Sequence, residues 1–182
     1  SMRFVENDPR LDQITARHVL SHTSGFQNWR TPDEPVKIHF TPGTDFLYSG
    51  EGYFYLQSIV TELLGTVNPN ECGTYEAGLK VCATDIGDYL IRNVLVPNKM
   101  NSSGYVWTEA IGNNAGLAHD VDGKLISKPH QTAADMARYA SAGGLLTSAK
   151  DYANFIIGLF TPKDSVAFKL NRNSLMEMVR PQ

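Results

Sequence analysis

Phe40-Thr41-Pro42-Gly43-Thr44-Asp45-Phe46-Leu47-Tyr48-Ser49-Gly50-Glu51-Gly52-Tyr53-Phe54-Tyr55-Leu56-Gln57-Ser58-Ile59-Val60-Thr61-Glu62-Leu63-Leu64-Gly65 is the stretch whose reading decides the fold. Phe54, Leu56, Ile59, Val60, Leu63 and Leu64 recur at helical spacing. The spacing predicts a helix over Glu51 to Leu64, with Gly65 at its C-cap. Upstream, residues 26 to 47 are rich in Pro, Thr, Asp and Gly and read as ordered loop. Before that loop, Thr15 to Ser21 reads as a short helix capped by Thr15, with Gly25 closing the turn beyond it. Downstream, a helix is expected from about Thr84 to Val96, stopped by Pro97. Thr132 caps another that runs to Ser141 and is broken by Gly143-Gly144. Ser148 caps one that runs to about Phe160, with Asp151 at the capping-box position. Asn173 starts a last helix that ends at Pro181. Tyr105-Val106-Trp107 and Lys124-Leu125-Ile126 are short strand-like pieces. No alternation of strand and helix appears, which argues against a doubly wound sheet. The expected fold class is mainly α, with short strands and long loops.

Composition narrows the function. The chain has 182 residues, with 16 Lys and Arg against 19 Asp and Glu, a formal net charge of −3. A nucleic-acid binder needs clustered basic residues, so that class is excluded. The longest apolar stretch, Phe155 to Phe160, is far short of the ~20 residues of a membrane-spanning helix. No apolar signal-peptide segment follows Ser1-Met2-Arg3, and Ser1 before Met2 reads as a cloning junction, so the natural start and any targeting signal are expected to lie outside this sequence. The expectation is a single truncated domain, 1–182, cut from a longer protein. Cys72 and Cys82 are too few for a zinc site. They form either a disulfide closing a short loop or two free thiols.

The residues that carry chemistry are few. His18 and His22 share one helical face, but Val19 stands where a metalloprotease places its Glu, and no third ligand is spaced nearby. The expectation is no metal and no cofactor. None of the twelve serines lies between glycines in the nucleophile-elbow pattern, and none has Lys three residues on. Gly50-Glu51-Gly52 precedes a helix without a phosphate-loop Lys, so it reads as turn geometry. Tyr48 is different. It falls just before the strongest helix, whose N-terminus attracts negative charge, and a Tyr placed there can serve as a general base or proton shuttle when a cation sits close. Its bland alternative is a packed Tyr with its hydroxyl on a loop carbonyl.

Ile14-Thr15-Ala16-Arg17-His18-Val19-Leu20-Ser21-His22-Thr23-Ser24-Gly25-Phe26 resembles the "LLxHTSGL" segment of the serine β-lactamase-like family, which includes class C β-lactamases, D-alanyl-D-alanine peptidases, D-aminopeptidases and related esterases. The segment from Phe40 to Gly65 resembles that family's "PGxxFxYSNxGY" stretch and the helix after it. "VLVPNKMNSSGY" is similar to its "PLGMxxT" stretch, and "AGGLLTSAKDYANFIIGLF" to "AGGLxSxxDxAxF". The four segments keep the family's order over residues 14 to 160.

The resemblance implies a helical domain of the β-lactamase-like fold, with the α/β domain largely missing. It implies acyl-enzyme chemistry on a lactam, an ester or a D-amino-acid peptide. The Tyr of the family's Tyr-x-Asn motif maps onto Tyr48, as the catalytic residue that helps move the proton between the Ser hydroxyl and the leaving group. The Asn maps onto Gly50, a substrate-binding position that here has no side chain. Loss of such a polar contact costs on the order of 1–3 kcal/mol. The family's SxxK and Lys-Thr-Gly motifs do not occur in this sequence. The isolated chain is therefore expected to be inactive, and a catalytically dead peptide- or muropeptide-binding relative is the alternative. Partners implied are a small-molecule or peptide substrate and the missing α/β domain. Residues 66–83 look like an insertion, and a Cys72–Cys82 disulfide pinning it fits a periplasmic or secreted protein. Phe26, Trp29 and Tyr105 to Trp107 either line the substrate pocket or belong to the core.

Overall fold

The computed structural model describes residues 7–31, 34–65, 86–126, 140–161 and 170–181. The chain divides into two compact units, one running to Ile86 and the other from Gly87 to Pro181. Helix dominates, with a 3-10 turn, six further helical segments and a two-stranded ladder among the described residues.

The first unit opens on a 3-10 turn, Pro9–Gln13, capped by Asp8. The Asp8 carboxylate holds the Arg10 side chain, whose guanidinium also donates to the Ile38 carbonyl at 2.7 Å. Helix α1 (Ala16–Leu20) begins at Thr15, as its sequence predicts. The cap is reciprocal. The His18 amide donates to Thr15 Oγ1 and the Thr15 amide donates to His18 Nδ1, both at 3.3 Å, so a His does the work usually given to Glu or Gln.

Helix α2 (Gly50–Leu63) is capped by Ser49, and Gly65 beyond it takes a left-handed φ of +66°. Its buried residues are the first turn, Gly50 to Gly52, and then a helical stripe of Phe54, Gln57 and Thr61. Leu63, one of the residues whose spacing predicted the helix, is exposed. Thr61 is tolerated inside because its hydroxyl donates to the Gln57 carbonyl at 3.0 Å. The core of this unit is Phe26, Val36 and Ile38, with Leu11, Ile14 and Tyr55 packed against it. The expected loop 26–47 contains one strand-like feature, a bridge between Phe26 and Ile38, which closes the loop over that core.

In the second unit, helix α3 (86–90) passes into a π turn at Ile91–Leu95. The Val96 amide donates to the Ile91 carbonyl at 2.9 Å, and Pro97, which has no N–H to give, ends the element. The expected strand at Tyr105 to Trp107 is absent. Gly104 instead pairs with Leu146 in an isolated bridge, Tyr105 is buried, and Thr108 caps a short helix, α4 (Glu109–Gly112). Strands β1 (Ala118–His119) and β2 (Leu125–Ile126) form an exposed antiparallel hairpin. Helix α5 (Ala149–Phe160) starts at Ser148 as predicted. Helix α6 (Arg172–Met178) is capped by Asn171 rather than Asn173, because Asn171 Oδ1 accepts from the Ser174 amide at 2.9 Å.

Asp151 corrects the capping-box expectation. Its own amide donates to Ser148 Oγ, but its carboxylate turns away and is buried, accepting from the Ser102 amide at 2.7 Å and the Ser103 hydroxyl at 2.8 Å. The Ser103 and Thr147 hydroxyls are 2.7 Å apart. This carboxylate ties the turn at 102–103 to the start of α5. Residues 66–83, with Cys72 and Cys82, and most of the helix expected from Thr132 lie outside the described residues. Replacing Asp151 with Ala removes two hydrogen bonds to a charged acceptor and should cost about 2–3 kcal/mol in urea unfolding. A change below ~0.5 kcal/mol would contradict this latch.

Candidate active site

The site is built where a turn, a loop and the start of α2 meet. The turn is His22-Thr23-Ser24-Gly25. His22 and Gly25 both lie in the left-handed region, at φ +56° and +83°. Gly25 is also required by space, because a Cβ there would stand 2.8 Å from the Phe40 carbonyl oxygen. The turn is tied to the loop before Tyr48 along the backbone. The Gly43 amide donates to the Thr23 carbonyl at 2.8 Å, and the Leu47 amide to the His22 carbonyl at 2.9 Å.

Ser49 fixes the end of that loop. Its hydroxyl accepts from the Gly52 amide and donates to the Gln27 carbonyl, each at 2.8 Å. The Gly50 amide donates to Asn28 Oδ1 at 2.9 Å and the Glu51 amide to the Asn28 carbonyl at 3.0 Å. The first amides of α2 are therefore met by side chains and by backbone from residues 27–28. Beneath them, the buried Arg30 and Glu51 form an ion pair at 3.5 Å, and Glu51 Oε1 accepts from the Arg30 amide at 3.3 Å.

Tyr48 stands just before this cap, 55% exposed. Its ring leans on His22, with centroids 4.5 Å apart and planes tilted by 32°. Tyr53 and Phe46 also pack on His22, at 5.4 and 5.8 Å. His22 Nδ1 accepts from the Ser49 amide at 3.1 Å, which calls for a neutral ring with its proton on Nε2. Burial favours the same neutral form and holds the imidazole below its usual value of 6.5. Burial, and then the neighbouring Tyr48, push the Tyr53 phenol above the ordinary range. Its hydroxyl donates to the Leu20 carbonyl at 3.4 Å.

Tyr48 and Gly50, singled out in the sequence, meet at the start of α2. His18 and His22 do not converge as ligands, since each has an Nδ1 engaged by a different backbone amide. Among the described residues, no group of three or more His, Cys, Asp or Glu is placed to hold a metal ion. Of the aromatic candidates, Phe26 is core and Tyr105 is buried, whereas Trp29 is half-exposed. The neighbouring hydroxyls are already engaged. Ser24 and Ser49 are buried, with Ser24 Oγ accepting from the Phe26 amide at 3.3 Å. The arrangement offers a fixed, accessible phenol. Sequence reasoning weighed His22 only as a metal ligand and did not consider Asn28. The signal for His22 was its place in the His-Thr-Ser-Gly turn.

The Beta-lactamase family model matches residues 5–182. A crystal structure of a class C beta lactamase is similar in fold, with a TM-score of 0.50 and 16% sequence identity. The similarity covers 84% of this chain and 40% of that one, so the chain spans well under half the length of that protein. No curated protein matches the chain.

The His22 contacts predict a direction with pH. The folded state binds the imidazole proton less readily than the unfolded chain does. The stability from a neutral His22 is thus fully present above about pH 6.5 and is lost as pH falls below it. Following the His22 ring proton by NMR, assigned through a His22→Asn variant, should give a midpoint below 6.5. A midpoint at or above that value would contradict the packing described.

Proposed function

The chain belongs to the β-lactamase family, and from that premise we propose that its parent protein is a serine hydrolase working through an acyl-enzyme. In this reading the chain is the helical domain, and the α/β domain with the nucleophilic Ser and its Lys comes from chain outside these 182 residues. The Ser oxygen attacks the substrate carbonyl and its proton passes to a neighbouring base. Tyr48 relays that proton to the leaving nitrogen or oxygen as its bond to the carbonyl carbon breaks. Water then releases the acyl group by the reverse proton path. The substrate is a lactam, an ester or a D-amino-acid peptide, which share this chemistry and differ in pocket fit. A periplasmic or secreted location belongs to the same proposal and rests on the family resemblance, which a Cys72–Cys82 disulfide would fit.

The observation that carries the reading is the support of Tyr48. An exposed phenol lies against a neutral imidazole and directly precedes a capped helix start. A second reading is favoured by Gly50, which supplies no side chain at the position of the family's Asn. It is a binding relative that has lost catalysis and holds a peptide or muropeptide.

Tyr48→Phe in the full-length protein should slow acylation by roughly 100-fold or more, with the thermal midpoint unchanged. Unchanged turnover would remove Tyr48 from the mechanism. The 182-residue chain by itself should gain no mass from a fluorophosphonate or a penicillin. A single adduct would place an active Ser within it and overturn the division of labour proposed.

A further inference from the structure

We propose that Trp29 is a specificity-determining residue of the Tyr48 site, its indole providing a flat apolar seat for an aryl-bearing acyl group. The proposal rests on the reading of Tyr48 as part of an acyl-transfer site. It begins with Gly50, which is buried and whose φ is not in the left-handed region. Its glycine is demanded by space. A Cβ built there would overlap Cη2 and Cζ2 of Trp29 and lie 2.7 Å from Cζ3. The indole therefore fills the direction in which a side chain at position 50 would project, and the two residues exclude any larger pair.

The indole is held in that place. It also packs against Phe54 on α2, with ring centroids 5.5 Å apart. The backbone on either side is pinned, through Asn28 to the Gly50 and Glu51 amides and through Arg30 to Glu51. Even so, Trp29 is 45% exposed. Tyr48 lies two residues before Gly50, within about 7 Å of the backbone that the indole covers. The indole thus stands where a polar side chain from the helix start would otherwise project, two residues from Tyr48 in the chain. An aromatic plane prefers an apolar or aryl group over an amide, because it offers stacking and no acceptor.

The test compares ethyl phenylacetate with ethyl acetate, which share a leaving group, as substrates of the full-length protein. The wild type should prefer the phenylacetyl ester, through KM. Trp29→Ala should reduce the ratio of kcat/KM values about tenfold, and Trp29→Phe should retain most of it. An unchanged ratio, or both rates falling in step, overturns the proposal. If neither ester is hydrolysed, the reading of the site fails, and binding decides the inference separately. In a Trp107→Phe variant of this chain, Trp29 is the sole indole of the two present. Phenylacetate should then quench its fluorescence saturably and acetate should not. No quenching by phenylacetate, or equal quenching by both, overturns the proposal.

Discussion

The first turn of an α-helix has amides with no partner of its own, and meeting those at the start of α2 organises the first unit. Ser49 takes the Gly52 amide and hands its own proton to the Gln27 carbonyl. Asn28 takes the Gly50 amide with its side chain and the Glu51 amide with its backbone. One cap of this kind is worth about 1 kcal/mol. Here the same groups also bring residues 27–30 alongside residues 48–51, so the cap is a tertiary contact as well. The buried Arg30–Glu51 pair lies across the same seam. A buried pair is costly to break, since the survivor is left charged and desolvated.

On the other side of Tyr48, the chain accepts a strained residue. His22 adopts a left-handed φ that costs a non-glycine residue of order 1 kcal/mol or more. The strain puts its imidazole where Nδ1 meets the Ser49 amide and its ring meets Tyr48, Tyr53 and Phe46. Backbone bonds from Gly43 and Leu47 hold the turn in that form. Cap and turn flank Tyr48, whose ring rests on His22 and remains open to solvent.

Local rules made much of this legible. Thr15 and Ser148 cap the helices that their sequence context announces, and Gly25 and Gly65 take left-handed conformations at the turn and the helix end read for them. Long-range contacts were not legible. Asp151 sits where a capping box would use it, yet it serves Ser102 and Ser103, 49 and 48 residues away. Tyr105 to Trp107 has the residues of a strand, but Gly104 finds a partner only as far as Leu146. Spacing along α2 identified a helix but not its buried face, since Gln57 and Thr61 are interior and Leu63 is not. In the site, Tyr48 and Gly50 were readable as positions. The parts that His22 and Trp29 play depend on chain reversals that place residues 22 and 29 beside residues 48 and 50.

The account stands on the loop before Tyr48, the cap at Ser49 and the first turn of α2 behaving as one rigid piece. Native-state amide exchange tests this directly, at Leu47, Ser49, Gly50 and Gly52. The account predicts that these four amides are protected and open together with the body of α2. Exchange at the rate of an unstructured chain, with α2 itself still protected, would mean that Tyr48 has no fixed place and would contradict it.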